Sequence, residues 1–194
     1  MRRLSQAISE GDGISLIAPA TDAEAALSAE RSGAEGVVVD RDLPGVRDAT
    51  GLPILWRLEA SPSDALNRGA DALLLAASSL EDDAEHVERR WHEAQDIGLE
   101  CVVLVRDSDE LELAMERLDP EIFLLSPQEA GNDEDPLDNV LDLLADVPAG
   151  KLAIADLEVT TPDEIAELER AGVDAVIVAS QNLAGLVRAA PPEV

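Results

Sequence analysis

Gly69-Ala70-Asp71-Ala72-Leu73-Leu74-Leu75 ends one secondary-structure element and begins the next within four residues. A glycine that closes a helix supplies the left-handed backbone such an ending requires. The apolar run that follows is too short for a buried helix and reads as a buried strand. The same turn recurs in Gly33-Ala34-Glu35-Gly36-Val37-Val38-Val39 and in Gly172-Val173-Asp174-Ala175-Val176-Ile177-Val178, with Gly98-Leu99-Glu100-Cys101 as a looser fourth copy. A helix-to-strand joint repeated along a chain signals βα units and a parallel sheet.

Working outward from these joints, eight apolar runs of strand length can be placed. They are Ile14 to Ala18, Gly36 to Val39, Pro53 to Leu58, Ala72 to Ala76, Cys101 to Val105, Ile122 to Leu125, Leu152 to Ala155 and Ala175 to Ala179. Eight parallel strands close a barrel. The strand-to-helix joints carry caps: Thr21-Asp22-Ala23-Glu24 and Thr161-Pro162-Asp163-Glu164 read as capping boxes, the second with proline in the first turn. Ser61, Ser79 and Asp107 stand at similar starts. The longest helix is expected over Asp82 to Ile97, with Ala84, Val87, Trp91, Ala94 and Ile97 on its buried stripe. The predicted fold class is α/β, a compact single-domain (β/α)8 TIM barrel with shortened βα loops that occupies residues 1–194. Residues 1–13 are expected to form a short N-terminal helical segment and residues 189–194 a frayed tail.

Composition fits this reading. The chain has 194 residues, enough for one domain, and 46% of them are hydrophobic, nearly all aliphatic, with one Phe, two Trp and no Tyr. Asp and Glu number 42 against 14 Lys and Arg, a formal charge of -28. That field repels phosphate backbones and anionic lipid, which argues against nucleic-acid and membrane partners. It reads as an acidic solvated surface, with a basic protein partner as the other explanation. Lys151 is the only lysine, so amine chemistry has a single candidate. Cys101, the only cysteine, lies inside an apolar run and reads as a small buried hydrophobe; no disulfide framework can form within the chain. The N-terminus lacks a signal-peptide run and no stretch has the length of a membrane span, so a cytoplasmic location is expected.

From about Gly51 to Leu183 the chain resembles indole-3-glycerol-phosphate synthase, a tryptophan-pathway barrel. The resemblance is carried by Leu52-Pro53-Ile54-Leu55-Trp56-Arg57, Gly69 to Ala77, Gly98 to Glu112, and Thr161-Pro162-Asp163-Glu164 through Val178. These are scaffold motifs, specific for the fold and less so for the chemistry. The resemblance implies a lyase that closes an indole ring with a lysine acid on strand three, a glutamate on strand five and polar residues on strands one, six and seven. At those places this chain offers Arg57, Leu104, Leu16-Ile17-Ala18-Pro19, Leu125-Ser126-Pro127 and Asp156-Leu157-Glu158. Arginine holds an anion but is a poor proton donor, and leucine does not titrate. Glu158 falls where the family's glycine lets its backbone approach a phosphate.

The expectation drawn from this is a diverged, non-catalytic or repurposed barrel of the synthase type that binds a small phosphorylated anion or a protein. Arg57, Ser180 and Asn182 are the candidate anion contacts, with Arg106 as a weaker one. The alternative is an active synthase or related carbon-carbon lyase with an altered residue set, using Asp156 and Glu158 as acid and base. No cofactor is expected. Carboxylates near strand ends (Asp40, Asp42, Glu59, Asp107, Asp156, Glu158) could suit a hard cation, but helix caps account for such acids and no metal is expected. His86 and His92 stand six residues apart, on different helix faces. The acidic connection 126–136 is a candidate lid or partner contact, and a homo-oligomer stays open.

Overall fold

A computed structural model of the chain describes residues 3–10, 13–126 and 135–186. Most of the acidic connection and the predicted tail lie outside the described residues. Eight parallel strands form a closed barrel in sequence order. They are β1 (Ser15–Pro19), β2 (Gly36–Val39), β3 (Ile54–Trp56), β4 (Ala72–Ala76), β5 (Glu100–Val105), β6 (Ile122–Leu125), β7 (Leu152–Ala155) and β8 (Ala175–Ile177). Closure is made by β8 beside β1, where Ser15 faces Ala175 and Ile17 faces Ile177.

The four glycine turns behave as the sequence requires: Gly33, Gly69, Gly98 and Gly172 have φ of 91°, 88°, 77° and 99°. The acidic residue of the repeat has a role the pattern alone does not reveal. One Asp71 carboxylate oxygen accepts from the Ile54 N–H at 2.9 Å, and Asp174 accepts from the Ala153 N–H at 2.8 Å. Each carboxylate thus satisfies an amide at the start of the preceding strand, that of the first residue of β3 and of the second residue of β7. Asp71 also pairs with Arg3 at 2.9 Å and Arg47 at 2.8 Å. Burial pushes the Asp174 carboxyl above its ordinary value, against the opposing pull of the Ala153 amide.

Alternation along the strands divides the core in two. One set points inside the barrel: Ile17, Val38, Leu55, Val102, Leu124 and Ile154 are among the buried members, with Leu74 and Leu104 packed against them. The other, including Trp56, Leu73, Val103, Phe123 and Val176, points out beneath the helices. An all-aliphatic interior is what eight narrow strands can enclose without voids. The Trp56 indole is fully buried in the outer layer, and its Nε1–H meets no acceptor among the described residues.

A short helix, α1 (Leu4–Ser9), seals the N-terminal end of the barrel by placing Leu4 and Ile8 in the interior cluster. Its own flanking residue Arg3 provides no side-chain cap. Glu100, the first residue of β5, accepts from the Leu4 and Ser5 amides at 2.7 and 3.1 Å and caps the helix from across the barrel.

The outer helices are α2 (Ala23–Arg31), α3 (Val46–Ala49), α4 (Pro62–Asn67), α5 (Ser79–Asp96), α6 (Ser108–Arg117), α7 (Pro136–Asp146), α8 (Pro162–Ala171) and α9 (Ser180–Leu186). The box at Thr161 forms with both reciprocal bonds. The one expected at Thr21 does not; Asp22 caps α2 by accepting from the Ala25 N–H. Val87, Trp91 and Ala94 are buried along α5 as expected, but the helix begins earlier, with a non-helical Asp83 inside it, and Ile97 is exposed. Ile97 is the residue on which α5 ends before the turn at Gly98, so it leaves the buried stripe.

Candidate functional site

The ladder still holds the chain one residue beyond β3 and β7. The Arg57 amide donates to the Val39 carbonyl at 2.8 Å and the Asp156 amide to the Leu125 carbonyl at 2.9 Å. Alternation therefore carries both side chains inward, after Leu55 and Ile154, at the C-terminal end of the strands. In a ring of eight, β3 and β7 stand opposite each other. Arg57 and Asp156 meet there as an ion pair through Nη2 and Oδ2, bridging the mouth of the barrel. Both are partly exposed, at 27% and 25% of the side-chain surface, so the bridge faces solvent on one side. Leu74 and Leu104, partly buried on the neighbouring strands β4 and β5, belong to the apolar layer on the inner side. The Arg57 Nε–H is buried and meets no acceptor among the described residues.

Three of the other candidates are held by partners of their own. Arg106, after β5, is held by neighbours: its Nη1 donates to Ser78 Oγ at 3.1 Å and lies 3.4 Å from the buried Glu110 carboxylate. Glu110 also accepts from the Arg106 amide at 2.8 Å. Ser180 Oγ donates to the Pro19 carbonyl at 2.9 Å, joining the start of α9 to the end of β1. Asn182 Nδ2 donates to the Val159 carbonyl at 3.3 Å. Glu158 is exposed on the loop after β7. Of the six candidates, the fold brings Arg57 and Asp156 into contact; Arg106, Ser180 and Asn182 bond to other partners. Glu110 and Ser78 escaped sequence reasoning, although Glu110 lies four residues beyond Arg106, a spacing that signals an ion pair on a helix.

Three of the strand-end acids have separate partners, Asp156 being paired with Arg57. Asp107 caps α6 by accepting from the Glu110 N–H, and Asp42 pairs with Arg68. Among the described residues, no three of His, Cys, Asp and Glu gather as a metal centre. Cys101 is buried, and burial pushes its thiol up to about 12 despite the nearby Arg90. A cavity of about 440 Å3 opens at the opposite end of the molecule, between α5 and the starts of β5 and β6, lined in part by Trp91, Leu99, Cys101 and Asp119. It contains none of the candidate site residues. The mouth is the better site because the loops and inward side chains of all eight strands converge there.

The sequence profile of the family described as indole-3-glycerol phosphate synthase matches residues 58–186. The chain belongs to the indole-3-glycerol phosphate synthase family. A synthase of that name from Shouchella clausii (strain KSM-K16) is 30% identical over 113 residues, covering 58% of this chain and 44% of the relative. That of Verminephrobacter eiseniae (strain EF01-2) is 35% identical over 126 residues, covering 64% and 44%. That of Geobacillus sp. (strain WCH70) is 27% identical over 165 residues, covering 77% and 62%. The chain thus spans between 44% and 62% of the length of these synthases. The family profile begins one residue after Arg57. A solved structure, a cube-shaped porous protein cage designed by fusing symmetric oligomeric domains, shares the fold with TM-score 0.66 and 18% identity, covering 91% of this chain and 72% of that one. Among the described residues, no helix of this family member is long and apolar enough to cross a membrane.

Proposed function

We infer that this member of the synthase family is a diverged, non-catalytic or repurposed barrel that binds a small phosphorylated anion at its mouth. The observation that carries the reading is the Arg57–Asp156 pair bridging the mouth, with the Leu74 and Leu104 layer on its inner side. Arg57 keeps its charge at any working pH and can hold an oxyanion, but it cannot serve as the proton donor that ring closure asks of a strand-three lysine. Leu104 has no proton to exchange. The catalytic positions of the family are on this reading replaced, and the chain works in the cytoplasm without cofactor, nucleic acid or membrane. Ser180 serves the anion only by giving up the Pro19 carbonyl, and Asn182 and Arg106 are tied to Val159, Ser78 and Glu110, so Arg57 is the primary contact.

The second reading is an active lyase of tryptophan biosynthesis with an altered residue set, in which Asp156 and Glu158 act as acid and base. It is favoured by their position on one strand end, two residues apart, and by the family's chemistry. A thermal-shift titration with indole-3-glycerol phosphate, its anthranilate-ribulose phosphate precursor and inorganic phosphate separates the two when paired with a turnover assay on the precursor. A ligand at a hundredfold excess over its Kd stabilises by about 2.7 kcal/mol, a readily measured rise in Tm. Stabilisation by phosphorylated compounds without turnover is the expected result. Formation of indole-3-glycerol phosphate would establish the lyase instead. No shift with any compound would turn the search to a protein partner or a second copy of the chain.

A further inference from the structure

We propose that the mouth of the barrel is a single-oxyanion site held shut by its own counter-ion, with Asp156 as the internal occupant that an external phosphate must displace from Arg57. The proposal rests on the reading of the mouth as the binding site and adds what sets its affinity.

Arg57 and Asp156 come from opposite sides of the ring, so their contact closes the opening across its diameter and not along one rim. Both backbones are fixed by ladder hydrogen bonds, to Val39 and to Leu125, so the two charges are positioned by the barrel itself. The contact is one-sided. Nη2 meets a single carboxylate oxygen, while the buried Nε–H on the same guanidinium meets no acceptor among the described residues. A guanidinium edge presents Nε–H and an Nη–H as a parallel fork, and an oxyanion that offers two oxygens to that edge satisfies both donors. The tethered carboxylate satisfies one. A free phosphate can therefore make the better contact, but it has to compete with a carboxylate at very high local concentration. It must also enter a molecule with formal charge -28. Asp156 thus acts on the ligand through Arg57, as a specificity-setting residue and not as a catalytic one. When phosphate replaces it, no bond is made or broken: one ion pair opens and another forms, and Asp156 turns to solvent.

Isothermal titration of inorganic phosphate at fixed ionic strength into the wild type, Asp156→Asn, Arg57→Gln and the double variant tests this. Asp156→Asn keeps the shape of the side chain and removes the competing charge, and it should bind phosphate at least tenfold more tightly than the wild type. The gain should vanish in the double variant, and Arg57→Gln alone should bind no better than the wild type. Asp156→Ser, which shortens the chain, should repeat the gain and guards against a fold defect of the asparagine variant, with melting curves as the check. Equal affinity in Asp156→Asn and wild type would overturn the proposal, as would a gain that survives loss of Arg57 or phosphate binding by no variant. The comparison is between variants with phosphate alone, so it can succeed even if the wild type ignores every phosphorylated pathway compound, and it can fail even if one of them binds.

Discussion

At Gly69 two constraints coincide. Its φ is +88°, and an added Cβ would fall 2.6 Å from Cβ and Cγ of Arg47, the residue that pairs with Asp71. At Gly172 φ is +99° but the space around an added Cβ is open. An L-residue in the left-handed region costs about 1–2 kcal/mol. Gly172→Ala should therefore lose about that much by urea denaturation, and Gly69→Ala distinctly more, because Arg47 must also move. Equal losses would mean that Arg47 relaxes freely. Cys101 gives a second test: with its thiol pushed up to about 12 by burial, it should resist a thiol reagent in the native protein at pH 8 and react once the chain is unfolded. Glu164 gives a third, in which sign matters. Hydrogen bonds from the Thr160 and Thr161 amides hold its carboxyl below the ordinary 4.5. Its stabilising effect is complete above that ordinary value and is lost as pH falls through the lowered one. Glu164→Gln should flatten this part of the acid decline in stability.

Helix α8 and helix α1 are stabilised in different ways, and they show what a sequence can and cannot disclose. The Thr161 box is local: donor and acceptor lie within four residues, so the pattern Thr161-Pro162-Asp163-Glu164 is readable, and Thr161→Ala should cost about 1 kcal/mol in chemical denaturation. At α2 the same pattern misleads by one residue, because Thr21 and Asp22 are both competent caps and the backbone path decides between them. Helix α1 cannot be read locally at all. Its cap, Glu100, is separated from Leu4 by 96 positions, and only barrel closure brings them together. Leu4 fills the floor, so Leu4→Ala should cost about 2–5 kcal/mol, in the range for a fully buried leucine. The joints, the strands and the ring of eight were legible because left-handed glycines and short apolar runs are properties of neighbours in the chain. The Arg57–Asp156 contact spans 99 positions and depends on β3 standing opposite β7, which no local pattern encodes. For the same reason Ser180, Asn182 and Arg106 could be named as mouth residues while their present partners could not.

Across the whole molecule, 42 acidic residues face 14 basic ones, and among the described residues the outer helices carry many more acids than bases. Repulsion among exposed carboxylates is screened by salt over about 10 Å at 0.1 M, whereas partly buried pairs such as Arg47–Asp71 are screened less. The melting temperature should rise steadily between about 0.05 and 1 M sodium chloride, where the Debye length shrinks to about 3 Å. A falling Tm would mean that attractive pairs outweigh the shell's self-repulsion. The position of Trp56 next to Arg57 in the chain has a spectroscopic consequence. The protein has no tyrosine and two tryptophans, so its near-ultraviolet absorption and emission come almost entirely from Trp56 and Trp91. Trp56 lies buried beneath the helices, its indole N–H without an acceptor among the described residues, and its backbone leads directly into the residue that bridges the mouth. With Trp91→Phe removing the other emitter, its fluorescence should report on the barrel's upper rim without any label.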